Sequence, residues 1–253
     1  MISFKLRIIR EQNRFYTYAL KLFDFLHSNG SKVFLFHDIL ESVSQVKTEY
    51  SLSQSSFESF LLNQLSKGYH SNTFVEFSQL ILNKIRKTDN SFIVTFDDAY
   101  ESVYSKAYPF LKANKISFVV FITKELIGKP DYLSEEQVIE LSKEELCTIG
   151  SHACHHTMFR YLSVDEAEKE LIESKIYLEN LLDKSVECFA FPYGRFVECS
   201  ISNIKQLNRS NFIFSFSAIP GTLNQSWLST NYFLPRINVN EKLVSKTLKT
   251  KTV

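Results

Sequence analysis

Two clusters in this chain have the residue types and spacing to work on a metal and a proton. The first is Asp97-Asp98, adjacent carboxylates that follow the apolar run Ser91-Phe92-Ile93-Val94-Thr95-Phe96 and precede Ala99-Tyr100. Neighbouring side chains on an extended segment point opposite ways, so one acid can bind a metal while the other handles a proton. Taken alone, such a pair more often forms a loop and caps the next helix. The second cluster is Ser151-His152-Ala153-Cys154-His155-His156. A spacing of four places His152 and His156 on one side of a helical turn, which suits capture of a metal by two imidazoles. Two imidazoles and one carboxylate are a common set for catalytic zinc, with positions left for water and substrate. On the histidines alone, a His-rich surface loop is an equal alternative.

Both clusters need elements that bring them together. A continuous Phe-Ile-Val-Thr-Phe run reads as a strand buried on both faces, and such strands belong to parallel sheets. The acids then stand at its C-terminal end, the edge on which α/β proteins build their sites. Cys147-Thr148-Ile149-Gly150 is a short strand that should deliver the histidines to the same rim. Further strands are expected over 33–36, 117–122, 187–191, 211–216 and 232–237, with helical patterns over 51–67, 104–113, 134–146 and from Ser163 onward. Ser134 with Gln137 and Ser163 with Glu166 read as capping boxes. Strand and helix alternate without a linker, which predicts α/β architecture: a single distorted (β/α) barrel of about seven strands. The barrel domain is expected over 31–253. Residues 1–30, with Tyr16, Leu20, Phe23 and Leu26 in an imperfect stripe, read as an N-terminal helical extension.

Composition narrows the partners. Lys plus Arg total 29 against 28 Asp plus Glu, so nothing in the charge favours nucleic acid or an anionic membrane. With 44% hydrophobic residues and 23 Phe, the core should be large and aromatic. No run approaches a membrane span, and charges interrupt the apolar residues of 1–13, so no signal peptide is read and a cytoplasmic location is expected. Cys147, Cys154, Cys188 and Cys199 form no C-x-x-C and are expected as free thiols. Oligomeric state is not readable.

Together the clusters resemble the polysaccharide deacetylases, the NodB-homology family. Thr95-Phe96-Asp97-Asp98-Ala99-Tyr100 is similar to the family's Thr-Phe-Asp-Asp-Gly-Tyr, and His152-Ala153-Cys154-His155-His156 to its His-Ser/Thr-x-x-His. Phe189-Ala190-Phe191-Pro192-Tyr193-Gly194 resembles its Phe-Ala-Tyr-Pro-Tyr-Gly. Ser163, Glu166 and Glu170, and Gly221 with Leu234-Pro235-Arg236-Ile237, match weaker patterns. The resemblance implies that Asp98, His152 and His156 bind a divalent metal, with zinc the leading candidate. It implies that Asp97 is the base that activates water, and that the Tyr193 backbone N–H helps hold the oxyanion formed from an N-acetyl group of a saccharide. Without the other motifs, Pro192-Tyr193-Gly194 is a simple strand-ending turn.

The family's late Leu-x-Leu-His motif is absent after residue 200, because the last histidine is His156. Phe34-Leu35-Phe36-His37-Asp38 has that motif's look at the opposite end and resembles the circularly permuted poly-N-acetylglucosamine deacetylase branch. The resemblance makes His37 the acid that protonates the leaving amine; otherwise it is a structural His at a strand end. Ala99 replaces the usual Gly, which matters if that position needs positive φ. Ala153 removes a hydroxyl, and Ala190 stands where many members carry an Arg that orients the base, with Arg236 as its substitute here. The family's Trp motif has no counterpart, since Trp227 lies in an unrelated context. The implied function is de-N-acetylation. An O-deacetylase on the same site and an inactive carbohydrate-binding barrel are the alternatives.

Overall fold

In a computed structural model of the chain, residues 30–46, 48–83, 90–199, 203, 205–223 and 231–249 are described. The expected helical stripe from Tyr16 to Leu26 and Trp227 lie outside them.

The strands are β1 (Lys32–Phe36), β2 (Asp38–Leu40), β3 (Ser51–Ser53), β4 (His70–Ser71), β5 (Ser91–Phe96), β6 (Phe118–Ile122), β7 (Cys147–Ser151), β8 (Cys188–Ala190), β9 (Phe214–Phe216) and β10 (Ile237–Asn238). The helices are α1 (Gln54–Ser66), α2 (Phe74–Leu82), α3 (Tyr108–Ala113), α4 (Glu135–Ser142), α5 (Val164–Leu182) and α6 (Glu241–Lys249). Seven parallel strands run in the order β10-β1-β5-β6-β7-β8-β9, with β4 paired to the start of β5. This is the expected α/β barrel, curled so that first and last strands are neighbours through Phe34↔Ile237.

Alternation along the strands divides the apolar residues in two. Phe34, Phe36, Phe92 and Phe96 face the helices, where Phe36 meets Phe57 edge-on at 5.1 Å. Val33, Ile93, Val119, Phe121, Phe214 and Phe216 form a separate inner cluster, joined by Phe77 of α2, which stacks on Phe216 at 5.8 Å. All six residues of β5 are buried, as its unbroken apolar run requires.

Register aligns the strand ends. Phe36 pairs with Phe96, and the Asp97 N–H donates to the Phe36 carbonyl at 3.0 Å. His37 and Asp97 therefore leave the sheet side by side. Ile122 pairs with Ser151 and Ser151 with Phe189, which carries His152 and the segment after β8 to the same edge.

Several elements differ from the sequence reading. The strands expected over 211–216 and 232–237 shorten to β9 and β10, because the chain between them changes partner. Leu234 bonds to Ser215 and Ser217 beside β9, and the residue after Arg236, Ile237, already pairs with β1. This crossing closes the seam of the barrel. The helix expected over 104–113 opens as a wider π turn, Val103–Ala107, ahead of α3. Pro109 has no N–H to give to the preceding turn, a standard cause of such widening. Two helices were not anticipated although their caps were legible: α2 starts at a Thr73–Glu76 capping box, and Asn240 caps α6 through Leu243.

Gly150 shows how tightly β7 is packed. A Cβ there would stand 2.5 Å from the Phe121 ring and 2.8 Å from Cys188 Sγ. Gly150→Ala is therefore expected to destabilise the fold by about 1–3 kcal/mol through overpacking, read as a lower midpoint in denaturant unfolding. An unchanged midpoint would show that Phe121 repacks freely.

Candidate active site and metal centre

Asp97 lies at the floor of the site with 3% exposure. Arg236 holds both its oxygens, Nη1 on Oδ1 and Nη2 on Oδ2, each at 2.7 Å. The same guanidinium donates from Nη1 to Thr95 Oγ1 at 3.2 Å and from Nε to the Ser217 carbonyl at 2.7 Å, with its Cζ 5.6 Å from the centre of the Phe121 ring. Burial would push the Asp97 carboxyl up, but the Arg236 guanidinium outweighs it and holds the group below the ordinary carboxylate range. A fork matched to a carboxylate fixes orientation as well as charge.

Asp98 has a left-handed backbone, with φ 70° followed by 64° at Ala99, so it does not continue the extended alternation of β5, and both carboxylates approach His152 Nε2. The position where Ala replaces the usual Gly thus does require positive φ. Asp98 Oδ1 lies 3.4 Å from His152 Nε2 and 3.2 Å from His156 Nε2, and the three residues can offer ligand atoms all within 4.8 Å of one another. His152 Nδ1 sits 2.8 Å from the Ala190 carbonyl, which can only accept, so Nδ1 carries the proton and Nε2 presents its lone pair to the site. Asp98 Oδ1 is buried and makes no well-formed hydrogen bond. A buried carboxylate oxygen facing two imidazole nitrogens is a donor set that fits a divalent cation of the zinc type. Burial would raise the Asp98 pKa, yet the neighbouring His152 and His156 hold it well below the usual value. Burial would lower that of His156, and Asp98 raises it instead.

The histidines do not share a helical turn. Residues 152–158 form a loop, reversed by φ 70° at Ala153, and that reversal rather than helical spacing brings the rings to 5.3 Å. Glu170 of α5 holds the loop: its Oε2 accepts from the N–H groups of Cys154 and His155 at 2.9 Å each, and its Oε1 meets His155 Nδ1 at 2.6 Å. His155 is thereby drawn away from the other two. The backbone of 124–125 also pairs with the carbonyls of Ala153 and Cys154. Nothing in the sequence around Glu170 marks this grip apart from its weak family pattern.

His37 stands at the end of β1, half-buried, with Nδ1 lacking a hydrogen-bond partner and Tyr50 edge-on at 5.1 Å. Burial lowers its pKa, although Asp97 and Asp98 pull the other way. Tyr193 follows β8 with φ 63°, and its ring lies 4.7 Å from His156. Gly194 has φ +64°, and a Cβ there would stand 2.6 Å from the Ala218 backbone nitrogen. The geometry brings Asp97, Asp98, His152, His156, Arg236 and Tyr193 together, with His37 on the adjoining strand end.

The family model for polysaccharide deacetylase matches residues 84–211. YxkH of Bacillus subtilis (strain 168) is 25% identical over 184 residues, covering 73% of this chain and 64% of YxkH. A poly-beta-1,6-N-acetyl-D-glucosamine N-deacetylase of Staphylococcus aureus (strain MSSA476) is 27% identical over 215 residues, covering 79% of this chain and 71% of that protein. The chain thus spans just under two thirds of YxkH. In fold it is similar to IcaB from Ammonifex degensii, with a TM-score of 0.75, 21% identity, and coverage of 89% of this chain and 98% of that one. By the family model and the fold together, the chain belongs to the polysaccharide deacetylase family.

Proposed function

We propose that the protein is a metal-dependent deacetylase that hydrolyses the N-acetyl group of an amino sugar in a poly- or oligosaccharide or its precursor. One observation carries this reading: Asp98, His152 and His156 converge beside a separate carboxylate, with Asp97 Oδ2 3.9 Å from His152 Nε2. The substrate class follows the name of the Staphylococcus aureus relative, a poly-N-acetylglucosamine deacetylase.

Asp98, His152 and His156 would hold the cation, zinc being the ion this donor set suits. When bound, it supplies Lewis acidity and brings the acidity of water towards neutral pH. Asp97, kept ionised by Arg236, accepts the proton of the attacking water. Arg236 cannot itself take a proton from Asp97, so it positions the base and keeps its charge. The Tyr193 N–H, oriented by the left-handed turn after Pro192, donates to the oxyanion. His37, on the strand end beside Asp97, gives a proton to the departing amine. The four thiols are buried and unpaired, which accords with a reducing compartment and an intracellular saccharide precursor as substrate.

With zinc-loaded protein and N-acetylglucosamine oligomers, Asp97→Asn is expected to lower acetate release about 10²–10⁴-fold while zinc still binds one-to-one. Release from O-acetylated but not N-acetylated sugars would instead establish an esterase. Saccharide binding without any release would leave a binding barrel.

Stability tests the ion pair separately. Arg236→Met strands Asp97 in the interior and should cost about 3–5 kcal/mol at neutral pH. Because the folded pKa of Asp97 is depressed, its contribution is complete above the unfolded value of about 4 and is lost as pH falls through the folded value. The gap between wild type and variant in denaturant unfolding should therefore narrow in acid. A gap independent of pH would mean that the loss is packing alone.

A further inference from the structure

Two tyrosines remain half in solvent although each leans on a site histidine. Tyr193 is 43% exposed beside His156, and Tyr50 is 45% exposed with its ring edge-on to His37. Tyr50 does not belong to any segment that resembles the family motifs. It lies on the connection between β2 and β3, immediately before β3.

The connection is fixed where Tyr50 sits. The Tyr50 carbonyl accepts from the Asp38 N–H at 3.3 Å, and Ser51 then pairs with Asp38 as β3 begins. Asp38 Oδ1 in turn accepts from Ser102 Oγ at 2.7 Å, which ties β2 to the turn after the Asp97-Asp98 pair. Glu49 reaches across to Arg195, Oε1 to Nη2 at 3.6 Å, so the loop bearing Tyr50 is joined to the loop bearing Tyr193. An exposed ion pair contributes little stability, but this one links the two aromatic rims.

We propose that Tyr50 is a specificity-determining residue, the wall of a saccharide subsite on the His37 side of the centre. Its ring takes the apolar face of the sugar ring next to the one that reacts. A tyrosine suits such a place because its body is apolar and its tip tolerates water. This rests on the saccharide deacetylase reading above. It places an aromatic wall beside the strand end that supplies His37.

The test compares zinc-loaded wild type with Tyr50→Ala, Tyr50→Gln and Tyr50→Phe, using a β-1,6-linked N-acetylglucosamine oligosaccharide and its fully deacetylated product. Removing the ring should raise KM about tenfold, with kcat within about threefold of wild type. Calorimetry should show the product bound about tenfold more weakly, and Tyr50→Phe should restore both values. Tyr50→Gln keeps the question open to measurement if Tyr50→Ala does not fold. Equal KM and equal product affinity in the ring-less variants would overturn the subsite and leave the deacetylase standing. So would a loss confined to kcat, which would make Tyr50 a support for His37 alone. A wild type that neither turns over nor binds either saccharide would overturn both readings.

Discussion

The buried pair between Asp97 and Arg236 is the constraint on which the site depends. A carboxylate taken out of water at the end of a central strand is tolerable only with an opposite charge in full hydrogen-bond contact. Arg236 meets that requirement from the place where the chain crosses from β9 to β1. One guanidinium therefore joins β5, the end of β9 and the seam of the barrel through Asp97, Thr95 and Ser217. Barrel closure and the charge state of the candidate base are the same interaction. The Phe121 ring beneath it occupies space that only Gly150 leaves open.

Above this layer the backbone is held in conformations it would not choose. Asp98, Ala99, Ala153 and Tyr193 all have positive φ at the C-terminal edge of the sheet. Each is disfavoured by on the order of 1 kcal/mol or more, and the surrounding bonds must sustain them. Glu170, the backbone of 124–125 and the Ala190 carbonyl do so for the histidine loop. The aromatic-rich core supplies the rigid frame against which these loops are set.

How much of this could be read from the chain depended on how local the determinant was. Asp97-Asp98 after an unbroken apolar strand announced both the strand and the edge, because burial on two faces leaves a continuous run. The His152 and His156 pairing was legible, but its geometry was not: a left-handed alanine carries no mark in the sequence, and helical spacing was the wrong reason. Arg236 was reached through the missing Arg at Ala190, a long-range substitution that only the folded seam makes concrete. Glu170 showed only as part of a weak pattern and Tyr50 not at all, because their work is done by partners distant along the chain. The late strands were overextended because apolar runs record burial, whereas β9 and β10 are limited by the change of neighbour at Leu234 and Arg236.

The most direct test of the account is anomalous diffraction at the zinc edge from crystals of the zinc-loaded protein. The account predicts a single strong peak among Asp98, His152 and His156, with Asp97 outside the coordination shell and still paired to both Arg236 nitrogens. A peak elsewhere, or Asp97 released from Arg236 to become a ligand, would contradict the division between a carboxylate that binds and a carboxylate that takes the proton.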